Sequence, residues 1–161
     1  MAIVGRARTA TGAGVIATVL LVLAFGNQAF TEWVGRHTDG NTVWGWFLRT
    51  LAWPAWTVRS TAPVRDLLAQ DLRAVLLVVF VAVVLGFSSR AVTGTGGFLL
   101  GWASLIFGSA LAAFVTAFVA SHSSWLGAFE AAGDGSKYGL FVGWLVGIAV
   151  AGAKSRVAAA T

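Results

Sequence analysis

The sequence predicts an all-α integral membrane protein: a four-transmembrane-helix bundle with an interfacial Trp-rich amphipathic helix between the first and second spans. Three observations predict it. Of the 161 residues, 58% are hydrophobic and only 11% charged, where a soluble domain carries about 25% charged residues; the mean hydropathy is +0.83. Uncharged stretches recur at the length of a membrane crossing. The clearest, Gly97 to Ala120, runs about 36 Å as a helix, against a hydrocarbon core of about 30 Å. Two of these stretches also repeat small residues every fourth position, which lets helix backbones approach closely in lipid. All 161 residues are read as a single membrane domain.

The first span, over about residues 10–30, lies in the neutral run from Thr9 to Thr31 behind Arg6 and Arg8, with its apolar heart at Val15–Phe25. A secretory signal peptide has the same layout. No A-x-A site follows the run, where Gly26-Asn27-Gln28-Ala29 stands, and more spans come later. An uncleaved first helix is expected, with Gly14 and Thr18 as its small patch.

Residues 32–71 read as the longest connection and hold Glu32, Asp39, Asp66 and Asp71. Within it, Asn41 to Val58 carries Trp44, Trp46, Trp53 and Trp56, with Trp33 just upstream, five of the chain's eight tryptophans. Trp favours the headgroup level, where its N–H stays wet. Trp44, Phe47, Leu48 and Leu51 share one helical face, Arg49 and Thr50 lie off it, and Pro54 breaks the helix. Across a bilayer Arg49 would cost about 2.5 kcal/mol or more. An interfacial helix over about residues 43–58 avoids that cost. Trp44, Trp46, Phe47, Arg49, Trp53 and Trp56 form the candidate interface for lipid or a partner.

The second span, about residues 72–89, follows an amphipathic lead-in. Ser60 or Thr61 serves as its cap, Pro63 and Asp66 occupy its first turn, and Val64, Leu67, Leu68, Leu72 and Val75 make its apolar stripe. The neutral part spans only about 24 Å. Arg73 and Arg90 are therefore expected to snorkel toward the two headgroup layers. The short turn Ser88–Gly96 makes the second and third spans antiparallel neighbours. The third span, 97–120, carries Ser104, Gly108, Ala112 and Thr116 on one face. Residues 121–136 read as a connection, with Trp125 as an interface anchor and Gly133-Asp134-Gly135 as a turn. The fourth span, 138–153, repeats the device with Gly139, Gly143, Gly147 and Ala151. The two small-residue faces are expected to pair with each other.

Composition excludes several chemistries. Without cysteine there is no disulfide framework, thiol nucleophile or iron–sulfur ligand. The net charge of +5 is scattered near span ends rather than gathered into a patch, so no nucleic acid is expected as partner. The four span interiors, as bounded above, hold no ionisable side chain, which disfavours proton relays and coupled transport. Thr18, Ser104, Ser109 and Thr116 can bond carbonyls one turn back. His37 and His122, with Glu32, Asp39, Glu130 or Asp134, offer the one conceivable metal or acid/base cluster, but no pair has ligand spacing. Gly94-Thr95-Gly96-Gly97 lacks the Lys-Ser/Thr of a phosphate loop, and Ser123 and Ser124 near His122 lack a nucleophile motif. No catalytic residue, metal or cofactor is assigned.

The expected function is that of a non-enzymatic structural or accessory subunit of a larger membrane protein complex. The alternatives are a holin-like or other pore-forming protein, or a small uncoupled carrier. Its partners are the lipid bilayer and other membrane subunits, in a hetero- or homo-oligomer. The abundance of Ala, Val, Gly and Arg points to a bacterial source, and the expected location is the inner membrane. Weighting short loops, both termini are placed in the cytoplasm, with Arg6, Arg8, Arg90, Lys154 and Arg156 inside and Arg36, Arg49, Arg59, Arg65, Arg73 and Lys137 outside.

Overall fold

Thr9 opens the first helix by accepting a hydrogen bond from the Gly12 N–H at 3.0 Å, and α1 then runs through the apolar stretch Ala10–Phe25. In the computed structural model, which describes residues 9–56, 64–88, 95–120 and 124–158 with the side chains of 154–158 excepted, five further helices follow. These are α2 (Gln28–His37), α3 (Val43–Leu51), α4 (Val64–Ser88), α5 (Thr95–Ala117) and α6 (Trp125–Ala158). The described residues contain no strand. The expected caps at Ser60, Thr61 and Pro63, and residues Arg6, Arg8, Arg59, Arg90, His122 and Ser123, lie outside the described residues, as do the side chains of Lys154 and Arg156.

Among the described residues three helices are long and apolar enough to cross a membrane: Val64–Ser88, Thr95–Ala117 and Trp125–Ala153. The first expected span is not one straight helix. Its chain bends by 52° between α1 and α2, and only the bent pair together reaches the length and hydropathy of a crossing. Asn27 causes the break. Its side-chain amide donates to the Leu23 and Ala24 carbonyls at 3.1 and 2.8 Å, closing α1. Its Oδ1 accepts the Phe30 N–H at 2.9 Å, opening α2. One side chain thus satisfies orphan groups of two helix ends.

The four longer helices form a ring in the order α1, α4, α5, α6. The α5–α6 contact is the most extensive, followed by α4–α5, and α1 fills the groove between α4 and α6. Gly14 lies against Leu85 and Val150, with Thr18 buried beside it. Along α4, Ala69, Leu77, Val81 and Leu85 face the core. The stripe Val64, Leu68, Leu72 and Val75 faces outward and continues through Val79, Val83 and Phe87. The lead-in's apolar face is therefore its outer face, and the helix runs unbroken into the span.

The glycine row of α6 meets α5. A methyl group on Gly139 would land on the Ile106 backbone, on Gly143 it would meet Trp102, and on Gly147 it would lie 2.7 Å from the Phe98 carbonyl. Gly101 and Gly147 cross backbone to backbone, and Ala151 is half-buried. The α5 row points elsewhere. Ser104, Gly108, Ala112 and Thr116 are buried, and Gly108 abuts Val81 of α4, 2.8 Å from where its Cβ would stand. The two small-residue faces thus serve different contacts, α5–α6 and, at Gly108, α4–α5, instead of pairing with each other.

The connection expected over 121–136 is largely helix. Glycine at 133 and 135 weakens a helix locally, yet Gly135 admits the α5 backbone and its carbonyl accepts from Ser109 Oγ at 2.7 Å. Tertiary contact overrides the local turn signal.

Candidate functional site

The Trp-rich segment is divided by the fold. Helix α3 begins with Thr42 accepting from the Gly45 N–H at 3.0 Å and ends at Leu51, well short of the extent expected for it. Its buried face is Gly45, Leu48 and Leu51, with Phe47 half-buried and Trp44 65% exposed. Trp44 stacks on Phe47 of the same face at 6.0 Å but stays exposed in the first turn of the helix. Arg49 reaches back across the hairpin, donating from Nη2 to the Thr38 carbonyl at 2.9 Å, where a cation suits the C-terminal end of α2.

The remaining tryptophans dock on the ring. Trp46 meets Phe141 of α6 edge-on at 4.9 Å. Trp56 continues the corner that α1 leaves: its backbone N–H donates to the Gly26 carbonyl at 2.9 Å and its indole to Val22 at 3.2 Å. Trp53 stacks on Tyr138 of α6 at 5.1 Å and 23°, and the Arg73 guanidinium carbon lies 5.4 Å from the same indole.

Arg73, expected to reach toward a headgroup layer, sets its guanidinium against the Trp53 indole, a contact that reasoning from sequence did not foresee. Arg73 occupies the core-facing row of α4, between Ala69 and Leu77, and its Nε is buried without a hydrogen-bond partner. Tyr138 is fully buried, and its Oη likewise has no partner. The signal was available in the spacing, since residues 69, 73, 77, 81 and 85 form one row at four-residue steps. Asp134, one turn before Tyr138, is close enough to act on the Arg73 charge. Its carboxylate is bonded to Lys137 Nζ at 2.8 Å.

Glu32, His37 and Asp39 have local partners. Glu32 sits 3.6 Å from Arg36 and accepts from Gln28. His37 stacks on Trp33 at 5.4 Å and contacts its carbonyl. Asp39 accepts the Asn41 N–H. Among the described residues no three His, Asp or Glu side chains converge as a metal site. The buried hydroxyls of Thr18, Ser104, Ser109 and Thr116 each donate to a carbonyl three or four residues back. On the opposite side of α4 from Arg73, an open groove of about 520 Å³ runs between α1 and α4, lined by Val22, Leu23, Val75, Val78 and Val79, with Trp56 and Asp71 also on it.

Comparison of the chain with protein-family models, curated proteins and solved structures returns no match. Fold and site define it as a helical protein with three membrane-length apolar helices.

Proposed function

We propose that the chain is an integral membrane protein with four crossings, the bent α1–α2 pair being the first, and that it acts as a non-enzymatic structural or accessory subunit of a larger complex. We place it in a bacterial inner membrane with both termini in the cytoplasm. The observation that carries the subunit reading is the surface of α6 near its start. Trp125, Leu126 and Phe129 are 72%, 71% and 65% exposed, and Glu130, Asp134 and Lys137 share this part of the helix. Lipid would solvate the apolar side chains but leave the charges costly. A protein partner meets both, through an aromatic contact with a polar rim.

The outward stripe of α4, from Leu68 to Phe87, supports the membrane setting, because a helix with its large apolar side chains outside and an arginine inside is inverted relative to water. A pore receives less support. The four buried hydroxyls are all bonded to backbone carbonyls, Ser109 also across to Gly135 of α6. A pull-down of the tagged chain from native membranes, read by mass spectrometry, tests the proposal. A specific set of membrane subunits is expected at near-stoichiometric yield, and recovery of the chain alone as a stable monomer would count against it.

A further inference from the structure

Arg73 stands in a row whose other members, Ala69, Leu77, Val81 and Leu85, are buried. A guanidinium carries five N–H donors and no acceptor, so a place in that row requires acceptors. The structure supplies one aromatic face, the Trp53 indole at 5.4 Å, and cation–π attraction meets part of the requirement. Nε is left buried with no partner, and the Tyr138 hydroxyl, on the other ring stacked with Trp53, is left the same way. Native interiors leave few such groups.

The two orphans have the same chemistry. Each is a donor in want of an acceptor, and one of them is charged. Asp134 is close enough to act on the Arg73 charge but makes no hydrogen bond to Nε, and one of its oxygens is on Lys137 at 2.8 Å. Guanidinium binds phosphate oxygens in a bidentate fork, more strongly than neutral acceptors. The Tyr138 phenol, stacked on the same indole, is a further donor.

We propose that the junction of Trp53, Arg73 and Tyr138 binds a phosphate-type oxyanion, supplied by a lipid headgroup or free in solution. At the junction the Trp53 indole lies 5.4 Å from the Arg73 guanidinium carbon and 5.1 Å from the Tyr138 ring. The lipid source rests on the four-crossing reading, while the free-anion source does not.

The test uses the full chain purified in a neutral detergent, with thermal unfolding followed on adding phosphatidylglycerol, diacylglycerol of the same chains, inorganic phosphate, or chloride at matched ionic strength. A ligand near a hundred times its Kd raises the midpoint by about 5–10 °C in a chain of this size. That rise is expected with phosphatidylglycerol and not with diacylglycerol. A matching rise with inorganic phosphate assigns the site to free anions, and its absence assigns it to headgroups. Arg73→Gln should abolish the rise. Tyr138→Phe keeps the ring stack and hence the fold, and should weaken phosphatidylglycerol binding several-fold. Equal rises from diacylglycerol and phosphatidylglycerol, a full rise in Arg73→Gln, or no rise in the wild type would overturn the proposal. A partner recovered in the pull-down is unaffected by any of these outcomes.

Discussion

Trp53 is where three parts of the chain meet, since it touches α6 through Tyr138 and α4 through Arg73 while belonging to the segment that follows α3. Removing it deletes both contacts and exposes two groups that have no hydrogen-bond partners. Trp53→Ala should therefore cost about 2–3 kcal/mol, toward the lower end for a large aromatic because the side chain is only half-buried. Trp44→Ala, at a side chain that is mostly exposed, should stay within about 0.5 kcal/mol. Unfolding in mixed micelles titrated with a denaturing detergent compares them, and equal losses would remove Trp53 from its central place. The sequence revealed the clustering of tryptophans but not their division of labour. Spacing along α3 cannot tell that the chain beyond Pro54 returns over α1, because that return depends on the Gly26 carbonyl at the α1 terminus and on a second hydrogen bond to the Val22 carbonyl. The contact of Arg73 with Trp53 was hidden for a related reason. The arginine's position beside a short neutral run invited an outward reach, whereas the core row it occupies, and the indole waiting there, come from the packing of distant segments.

At the scale of elements, what could be read from the sequence was the apolar length of α4 and α5 and the close packing signalled by small residues. The small-residue rows were visible as periodicity, but their targets were not. Periodicity fixes which residues share a face, whereas the direction of that face depends on the neighbours. In the structure the α6 glycines take α5, and Gly108 takes α4. The helix through Gly133-Asp134-Gly135 was hidden because turn propensity is local, whereas Ser109 grips the Gly135 carbonyl from another helix. The break at Gly26–Asn27 was legible in principle, since Asn is a strong N-cap, but the apolar run around it masked the signal. These assignments separate two glycines on one helix. At Gly133 nothing lies within 4 Å of where a Cβ would stand, so Gly133→Ala should stabilise by about 0.5–1 kcal/mol through helix propensity alone. Gly139→Ala drives its methyl into the Ile106 backbone and should cost about 2 kcal/mol or more. Thermal unfolding of the two variants in detergent should shift in opposite directions. Shifts of the same sign would mean that the α5–α6 seam is looser than described.

For the whole molecule, topology and partnership are the two claims. Four crossings place Thr38 and Ser124 on one side of the membrane and Thr95 on the other. Single cysteines at these positions, labelled in intact cells with an impermeant maleimide, should react at Thr38 and Ser124 and stay protected at Thr95. Reaction at Thr95 would reverse the orientation, and Thr38 sharing the side of Thr95 would make the bent α1–α2 pair re-entrant. Partnership is the more consequential claim, since it assigns the exposed aromatic and charged surface of α6 to a neighbour and the apolar stripe of α4 to lipid. A photoreactive amino acid placed at Phe129 and, separately, at Val83 in native membranes tests it most directly. Phe129 should give one discrete protein adduct and Val83 lipid adducts alone. Lipid adducts alone from both positions would contradict the subunit function.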